Sequence, residues 1–347
     1  MIGIELTPDE PIAAVADHAA RAEAAGFDAV LASSHYNNRD PFLALGAVAR
    51  ATSEVHLGPA AANPYDTHPV KLASAVATLD EASDGRALLG IGAGDRATLS
   101  ALGIEHGRPL RRVLESFRVA RELWAGETVT HDGTFDVREA ALNYDVGAGG
   151  AGESGGASGT DEVDEADGGG SIPVYVGAQG PHMLRMSGKH ANGALVNASH
   201  PTDLEWSAAR IAEGIEDRPA EYGEFDAAAF ASVSVAEDGA EACEAARPPV
   251  AFIAGGAPAP VLDRHDVSAE AAGEIGAALE SGNFSEAFEA VTPEMIEAFS
   301  IAGTPEAVEG KLEEVLEHVD SVVCGSPLGP EKSEAISLLG AVTDRVR

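Results

Sequence analysis

The chain is 347 residues long, enough for an α/β barrel of about 250 residues with insertions or for two or three smaller domains. Hydrophobic residues make up 45% and the mean hydropathy is −0.03, which excludes a wholly disordered chain, and no window reaches the roughly 18 uncharged apolar residues of a membrane span. Fifty-seven Asp and Glu against 22 Lys and Arg give a net charge of −35, a field that makes nucleic acid and anionic membrane surfaces poor partners.

In chain order, residues 1–10 (MIGIELTPDE) carry neither the basic region nor the apolar run of a targeting segment, so a cytoplasmic protein is expected. Ile2–Leu6 reads as a strand, and Thr7-Pro8-Asp9-Glu10 as a helix-opening cluster before an Ala-rich amphipathic helix over Pro11–Ala25, with Gly26 placed to end it. Phe27–Leu31 is the next strand. A helix over Pro41–Ala51 leads to a strand at Val55–Gly58, and a helix over His68–Ser83 leads to Ala87–Ile91. After a helix near Leu110–Ala125 come a strand at Pro173–Val176, a helix at Gly180–His190 and a strand at Ala194–Val196. Thr202-Asp203-Leu204-Glu205 reads as a capping box for the following helix. Ala228–Val235 and Asp320–Cys324 supply two more strands, and the last helix spans about Glu331 to Val346.

Strands alternating with helices of this length imply a parallel sheet with right-handed crossovers, and eight of them favour a closed (β/α)8 TIM barrel over an open doubly wound sheet. One barrel domain over residues 1–347 is expected, with two interruptions. Residues 147–171 are Gly, Ser and acid with almost nothing to bury, and read as a flexible surface insertion. Residues 250–300 contain a Pro/Gly-rich stretch and two further helices, expected as an insertion between the last two strands on the upper face.

In a barrel the chemistry sits where strands end, because the βα loops converge there. The first strand offers Glu5, whose carboxylate is costly to bury ionised; it is either a proton donor with a raised pKa or a rim Glu paired with a base. The second ends in Ser33-Ser34-His35-Tyr36-Asn37-Asn38, a polar cluster suited to ligand recognition or simply solvated. The third gives Gly58 to Pro64, small side chains that would let a flat ring lie against the backbone or merely let the barrel pack. The fourth runs into Gly90-Ile91-Gly92-Ala93-Gly94-Asp95, whose glycines permit close approach and whose Asp can hydrogen-bond a heterocycle. Its G-x-G-x-G spacing is not that of a dinucleotide fingerprint. Gly177-Ala178-Gln179-Gly180-Pro181 opens a helix and is either a phosphate cradle or an ordinary turn. There is no H-E-x-x-H, no His/Asp/Glu cluster at metal spacing, no G-x-S-x-G and no C-x-x-C around Cys243 or Cys324, so hydrolase, metalloenzyme and disulfide readings lack support.

These stretches, in this order, resemble the coenzyme F420-dependent methylenetetrahydromethanopterin reductases of the bacterial-luciferase-like superfamily. The resemblance rests on IGIELTPDEP, SHYNN, LGPAAANPYDTHP, ATLDEASDGRALLGIGAGDRATLSALGIE, YVGAQGPHMLRMSGK, VAFIAGGAPAPV, EAFSIAGTPEAV and GSPLGPEK, and covers nearly the whole chain outside 147–171. It implies hydride transfer from reduced coenzyme F420 to the one-carbon unit of a methylene-pterin, on methanopterin or folate, with Glu5 catalytic and no metal. It implies a cofactor-binding set of His35, Ala60, Ala61, Asn63, Asp95, Gly177, Ala178, Gln179, Gly180 and Pro181, and a non-prolyl cis peptide at Ala60–Ala61. It also implies a homodimer or homotetramer. Two positions depart from the family pattern: Ser34 stands where an Asp usually precedes the His, and Ala60 where Gly is usual. The rivals are an FMN-dependent monooxygenase, an F420-dependent alcohol dehydrogenase, or a non-catalytic deazaflavin binder. The charge and the scarcity of lysine, four in all, resemble proteins of salt-accumulating halophilic archaea, where a Debye length of about 3 Å at molar salt makes such self-repulsion tolerable.

Overall fold

The computed structural model describes residues 1–147 and 172–347. β1 (Ile2–Glu5), β2 (Ala29–Ala32), β3 (His56–Pro59) and β4 (Leu89–Ile91) alternate with α1 (Ile12–Ala24), α2 (Pro41–Ala51) and α3 (Pro69–Ala82). The short α4 (Arg96–Ala101) and α5 (Pro109–Trp124) follow, then a hairpin of β5 (Val129–Asp132) and β6 (Asp136–Ala140). β7 (Val174–Ala178), α6 (Pro181–His190), β8 (Gly193–Val196), α7 (Pro201–Ile215) and β9 (Asp226–Val235) continue the alternation. Between β9 and the last barrel strand lie α8 (Gly239–Gly256), α9 (Ala259–Arg264), α10 (Ala269–Glu280), α11 (Phe284–Glu289), α12 (Pro293–Phe299), β10 (Ile301–Gly303) and α13 (Pro305–Leu316). β11 (Ser321–Leu328) and α14 (Lys332–Val346) end the chain.

The barrel strands run in the order β3-β2-β1-β11-β9-β8-β7-β4, every rung parallel, with β10 as an extra strand on β9. Isolated parallel bridges from Leu57 to Ala87 and from Ala62 to Ile91 join β3 to β4 and close the ring into the expected (β/α)8 form. That seam has no room for side chains. A Cβ on Gly58 would lie 2.1 Å from Leu88 O, and one on Gly90 would lie 2.1 Å from Pro59 O. Along β1, Ile2 and Ile4 face the helices, where they join Val15 and Ala19 in the outer core. The alternate residues Gly3 and Glu5 face inward, where Leu31, Leu88, Leu195, Ala228 and Val323 fill the barrel.

Several local readings need correction. The Thr7–Glu10 cluster does not cap α1, which starts after Pro11 without a side-chain cap. Asp9 and Glu10 instead take Lys332 Nζ at 2.8 and 3.4 Å and tie this turn to α14. The Thr202 capping box is likewise unused. Pro201 starts α7 two residues earlier than that box would, His200 Nδ1 accepts Thr202 N–H at 3.2 Å, and Asp203 is released for other partners. Gly26, at φ +88°, does end α1.

The helices expected over 250–300 number five rather than two, and the first begins at Gly239 because α8 runs on through Pro248 and Pro249. They enclose an apolar cluster of their own that includes Val250, Leu262, Ile275, Met295 and Phe299. The hairpin β5–β6, β10, α4 and α13 were not expected. Asp132-Gly133 between alternating residues is a hairpin signal that marks the first of these. The Gly- and acid-rich stretch expected over 147–171 lies, beyond Gly147, outside the described residues.

Candidate functional site

A cavity of about 740 Å³ opens at the carboxyl ends of β3, β4, β7, β8 and β9, the face on which barrel chemistry resides. Its floor is nearly free of side chains because three backbone segments meet there. A Cβ added to Gly92 would touch Ala61 Cβ at 3.5 Å, and one added to Gly177 would lie 3.6 Å from Gly92 Cα and 3.7 Å from Ala61 Cβ. The Ala60–Ala61 peptide bond is cis. Leu195 and Phe230 form the inner wall, and Leu110 and Met183 stand on the outer side.

At one edge the turn Gly177 to Pro181 leads into α6. Gly180 is the N-cap without a side-chain acceptor and Pro181 occupies the first helical position, so this helix end offers backbone N–H groups and the positive end of its dipole. Arg96, His106 and His182 border the cavity, and among the described residues Asp95 is the one carboxylate that lines it. In a chain of net charge −35 that local balance fits an anionic ligand end. A planar ring system with an anionic tail, as in a deazaflavin coenzyme, matches the flat floor and this edge.

Asp95 caps α4, its Oδ2 accepting Thr98 N–H at 2.6 Å. His106 donates from Nε2 to Ala93 O at 3.0 Å and stacks on Tyr65, with ring centroids 5.1 Å apart. Tyr65 in turn donates its hydroxyl to Gly107 O, and Arg112 lies between the Tyr65 and Phe135 rings. This layered stack holds the loop that forms the outer wall.

Of the residues singled out in the sequence, Ala60, Ala61, Asp95, Gly177, Ala178, Gln179, Gly180 and Pro181 line the cavity together. Asn63 does not: its Oδ1 accepts the N–H groups of Tyr65 and Asp66 and its Nδ2 donates to Asp66 Oδ2, so its polar atoms serve the turn behind Gly94. His35 is exposed in the loop after β2 and also stands outside the cavity. Sequence reasoning missed Asn197, Phe230, Arg96, His106 and His182. Asn197 directly follows β8, so the strand-end rule finds it; His106 carries no such signal, since only the path of the loop before α5 brings it in.

Glu5 is 3% exposed and stands on the β2-β1-β11 side of the barrel mouth, across from the cavity. Its Oε1 accepts Thr7 Oγ1–H at 2.9 Å and Ser33 N–H at 3.3 Å, and its Oε2 accepts Ser326 N–H at 3.2 Å. Burial pushes its pKa up, against the opposing pull of these hydrogen bonds, so the carboxyl keeps its proton to higher pH than an exposed Glu. Among the described residues no group of His, Cys, Asp and Glu is arranged to hold a metal ion, and no helix is long and apolar enough to cross a membrane.

Comparison with known proteins agrees with this geometry. The sequence matches the luciferase-like monooxygenase family over residues 2–320. It is 39% identical over 340 residues to a protein of Methanolobus tindarius named 5,10-methylenetetrahydromethanopterin reductase, covering 97% of this chain and 98% of that one. It is 38% identical to a protein of the same name from Archaeoglobus fulgidus over 97% of each chain. The solved coenzyme F420-dependent tetrahydromethanopterin reductase of Methanopyrus kandleri superposes with a TM-score of 0.83 at 36% identity, over 100% of this chain and 99% of that one. An F420-dependent secondary alcohol dehydrogenase shares the fold at a TM-score of 0.76 and 21% identity. With a family match across most of its length and near full-length relatives of one name, this chain belongs to the luciferase-like monooxygenase family, in its 5,10-methylenetetrahydromethanopterin reductase group.

Proposed function

We propose that this chain reduces 5,10-methylenetetrahydromethanopterin to its 5-methyl form with reduced coenzyme F420. The observation that carries the reading is the floor of Ala61 and Gly177, backed by Gly92 and almost bare of side chains, between the Ala60–Ala61 bond and the N-terminus of α6. When bound, the reduced coenzyme supplies a hydride. The floor would receive its ring system, and the N–H groups of Gln179, Gly180 and His182 at the start of α6, with Arg96, would hold its anionic end. Asp95 and Asn197 are the polar side chains at the ring's margin. His35 and Asn63 act at one remove, His35 at the entrance and Asn63 by shaping the turn behind Gly94.

The pterin lies in the mouth between this cavity and Glu5. The bridged methylene must open before it accepts a hydride, and protonation of the departing ring nitrogen promotes that opening. Glu5, whose hold on its proton burial strengthens, gives that proton. Leu195 and Phe230 would exclude water from the meeting point, and the fixed strand ends would bring the reactants towards the roughly 3–3.5 Å that direct hydride transfer needs. We infer further a salt-adapted cytoplasmic enzyme that assembles as a homodimer or homotetramer, with screening at high salt allowing acidic surfaces to meet.

The test is anaerobic turnover in molar KCl with reduced F420 and methylene-pterin, with methanopterin and folate carriers compared. Glu5→Gln is expected to lower kcat by about 100-fold or more while F420 affinity stays nearly unchanged. Equal loss of both would make Glu5 structural. Oxygen consumption with reduced FMN and no pterin-dependent F420 oxidation would replace the reductase reading by a monooxygenase.

A further inference from the structure

The two oxygens of the Glu5 carboxyl are not equivalent. Oε1 accepts two hydrogen bonds, from Thr7 Oγ1 at 2.9 Å and Ser33 N at 3.3 Å, whereas Oε2 accepts one, from Ser326 N at 3.2 Å. A protonated carboxyl has one carbonyl oxygen, which accepts through two lone pairs, and one hydroxyl oxygen, which donates. The oxygen already held by two donors is the natural carbonyl. The proton then belongs on Oε2, the oxygen beside the Ser326–Pro327 end of β11.

Thr7 Oγ1 bonds this carboxyl at 2.9 Å, reaching Glu5 because two residues along an extended chain return a side chain to the same face, and the buried Ser33 hydroxyl also faces the carboxyl and favours its ionised form. The groups facing Glu5 from β2, β11 and the segment up to Thr7 are hydroxyls and backbone amides, and no charged side chain contributes to its shifted protonation. The ion pairs of Lys332 with Asp9 and Glu10 belong to the next turn.

We propose that Thr7 is a positioning residue for the acid: by occupying Oε1 it keeps the transferable proton on Oε2 and fixes the direction of proton delivery. The inference rests on Glu5 being the acid of the proposed reaction. Because the Thr7 hydroxyl bonds the carboxylate more strongly than the neutral acid, it also moderates the effect of burial.

Two measurements on the full-length enzyme test this. In infrared spectra of the protein without substrate, the neutral Glu5 C=O stretch is the band lost in Glu5→Gln. That band moves to higher frequency in Thr7→Val and in Thr7→Ala, and returns to its wild-type place in Thr7→Ser. In turnover, the alkaline limb of the kcat profile moves up by about one pH unit in Thr7→Val and Thr7→Ala and is restored in Thr7→Ser. An unmoved band together with an unmoved limb in the Val and Ala variants overturns the proposal, as does a Ser variant that behaves like them. Glu5→Gln separates the two readings: with wild-type kcat it removes the acid itself, whereas a large loss of kcat beside an unmoved Thr7→Val limb removes only the role of Thr7.

Discussion

Asp203 Oδ2 lies 2.7 Å from His265 Nε2 while its Oδ1 accepts Arg264 Nε at 2.6 Å, so one carboxylate at the start of α7 grips both residues that close α9. All three side chains are largely buried, and Ser199 Oγ adds a second tether at 3.2 Å to Phe299 O. These contacts dock the α8–α12 layer on the barrel. Replacement of Asp203 by Ala leaves a buried imidazole and a guanidinium unpaired, so we expect a loss of about 2–4 kcal/mol in urea denaturation. Hydrogen exchange should speed up most over residues 259–299. Uniform acceleration across the barrel would place the grip elsewhere.

Glu115 ties the β5–β6 hairpin to α5. Its Oε2 accepts both the N–H and the hydroxyl of Thr134 at 2.6 Å, and its Oε1 pairs with Arg111. Burial opposes ionisation here, but the bonds from Thr134, Arg111 and His131 outweigh it and hold the carboxyl down to about 2. A depressed folded-state pKa stabilises fully above the unfolded value of 4.5 and is lost as pH falls from there towards 2. The contribution is on the order of 3 kcal/mol. Wild type should therefore lose more stability than Glu115→Gln between pH 6 and pH 3 in denaturant titrations, and parallel curves for the two would contradict the assignment.

Two glycines of the barrel mouth should fail in different ways. Gly177→Val adds atoms into the cavity where a Cβ meets nothing closer than 3.6 Å, so the fold should persist while F420 affinity drops at least about tenfold, roughly 1.4 kcal/mol. Gly90→Ala places a methyl 2.1 Å from Pro59 O at the closing seam, and should destabilise the barrel by about 3 kcal/mol. Fluorescence titration and thermal melts on both variants distinguish the effects; tight F420 binding by Gly177→Val would move the ring site off this floor.

A net charge of −35 makes stability depend on screening. Lowering KCl from molar to 0.1 M lengthens the Debye length from about 3 to about 10 Å and couples acids that were independent. The melting temperature should fall steadily over that range, and sodium chloride should act as KCl does. A flat response would argue against salt adaptation.

The order of the barrel strands' apolar runs, the glycines after them and the acid inside the first run are local features, and local rules read them. Period-two alternation faces Glu5 inward with Gly3, and the strand-end rule selects Ala60, Asp95 and Gly177 before any contact is known. Tertiary structure alone decided which strand ends share a cavity. Asn63 belongs to a turn because Tyr65 and Asp66 claim its amide, and His106 enters from a distant loop because Tyr65 and Arg112 stack behind it. The five-helix layer was not legible in the sequence, where a Pro/Gly-rich stretch and two helices are expected over 250–300; burial of Val250, Ala251 and Ala254 keeps α8 continuous past Pro248 and Pro249. Backbone propensity acts over a few residues, but a binding surface is made by segments far apart in sequence, and only the free energy of packing them together chooses which atoms face the same space.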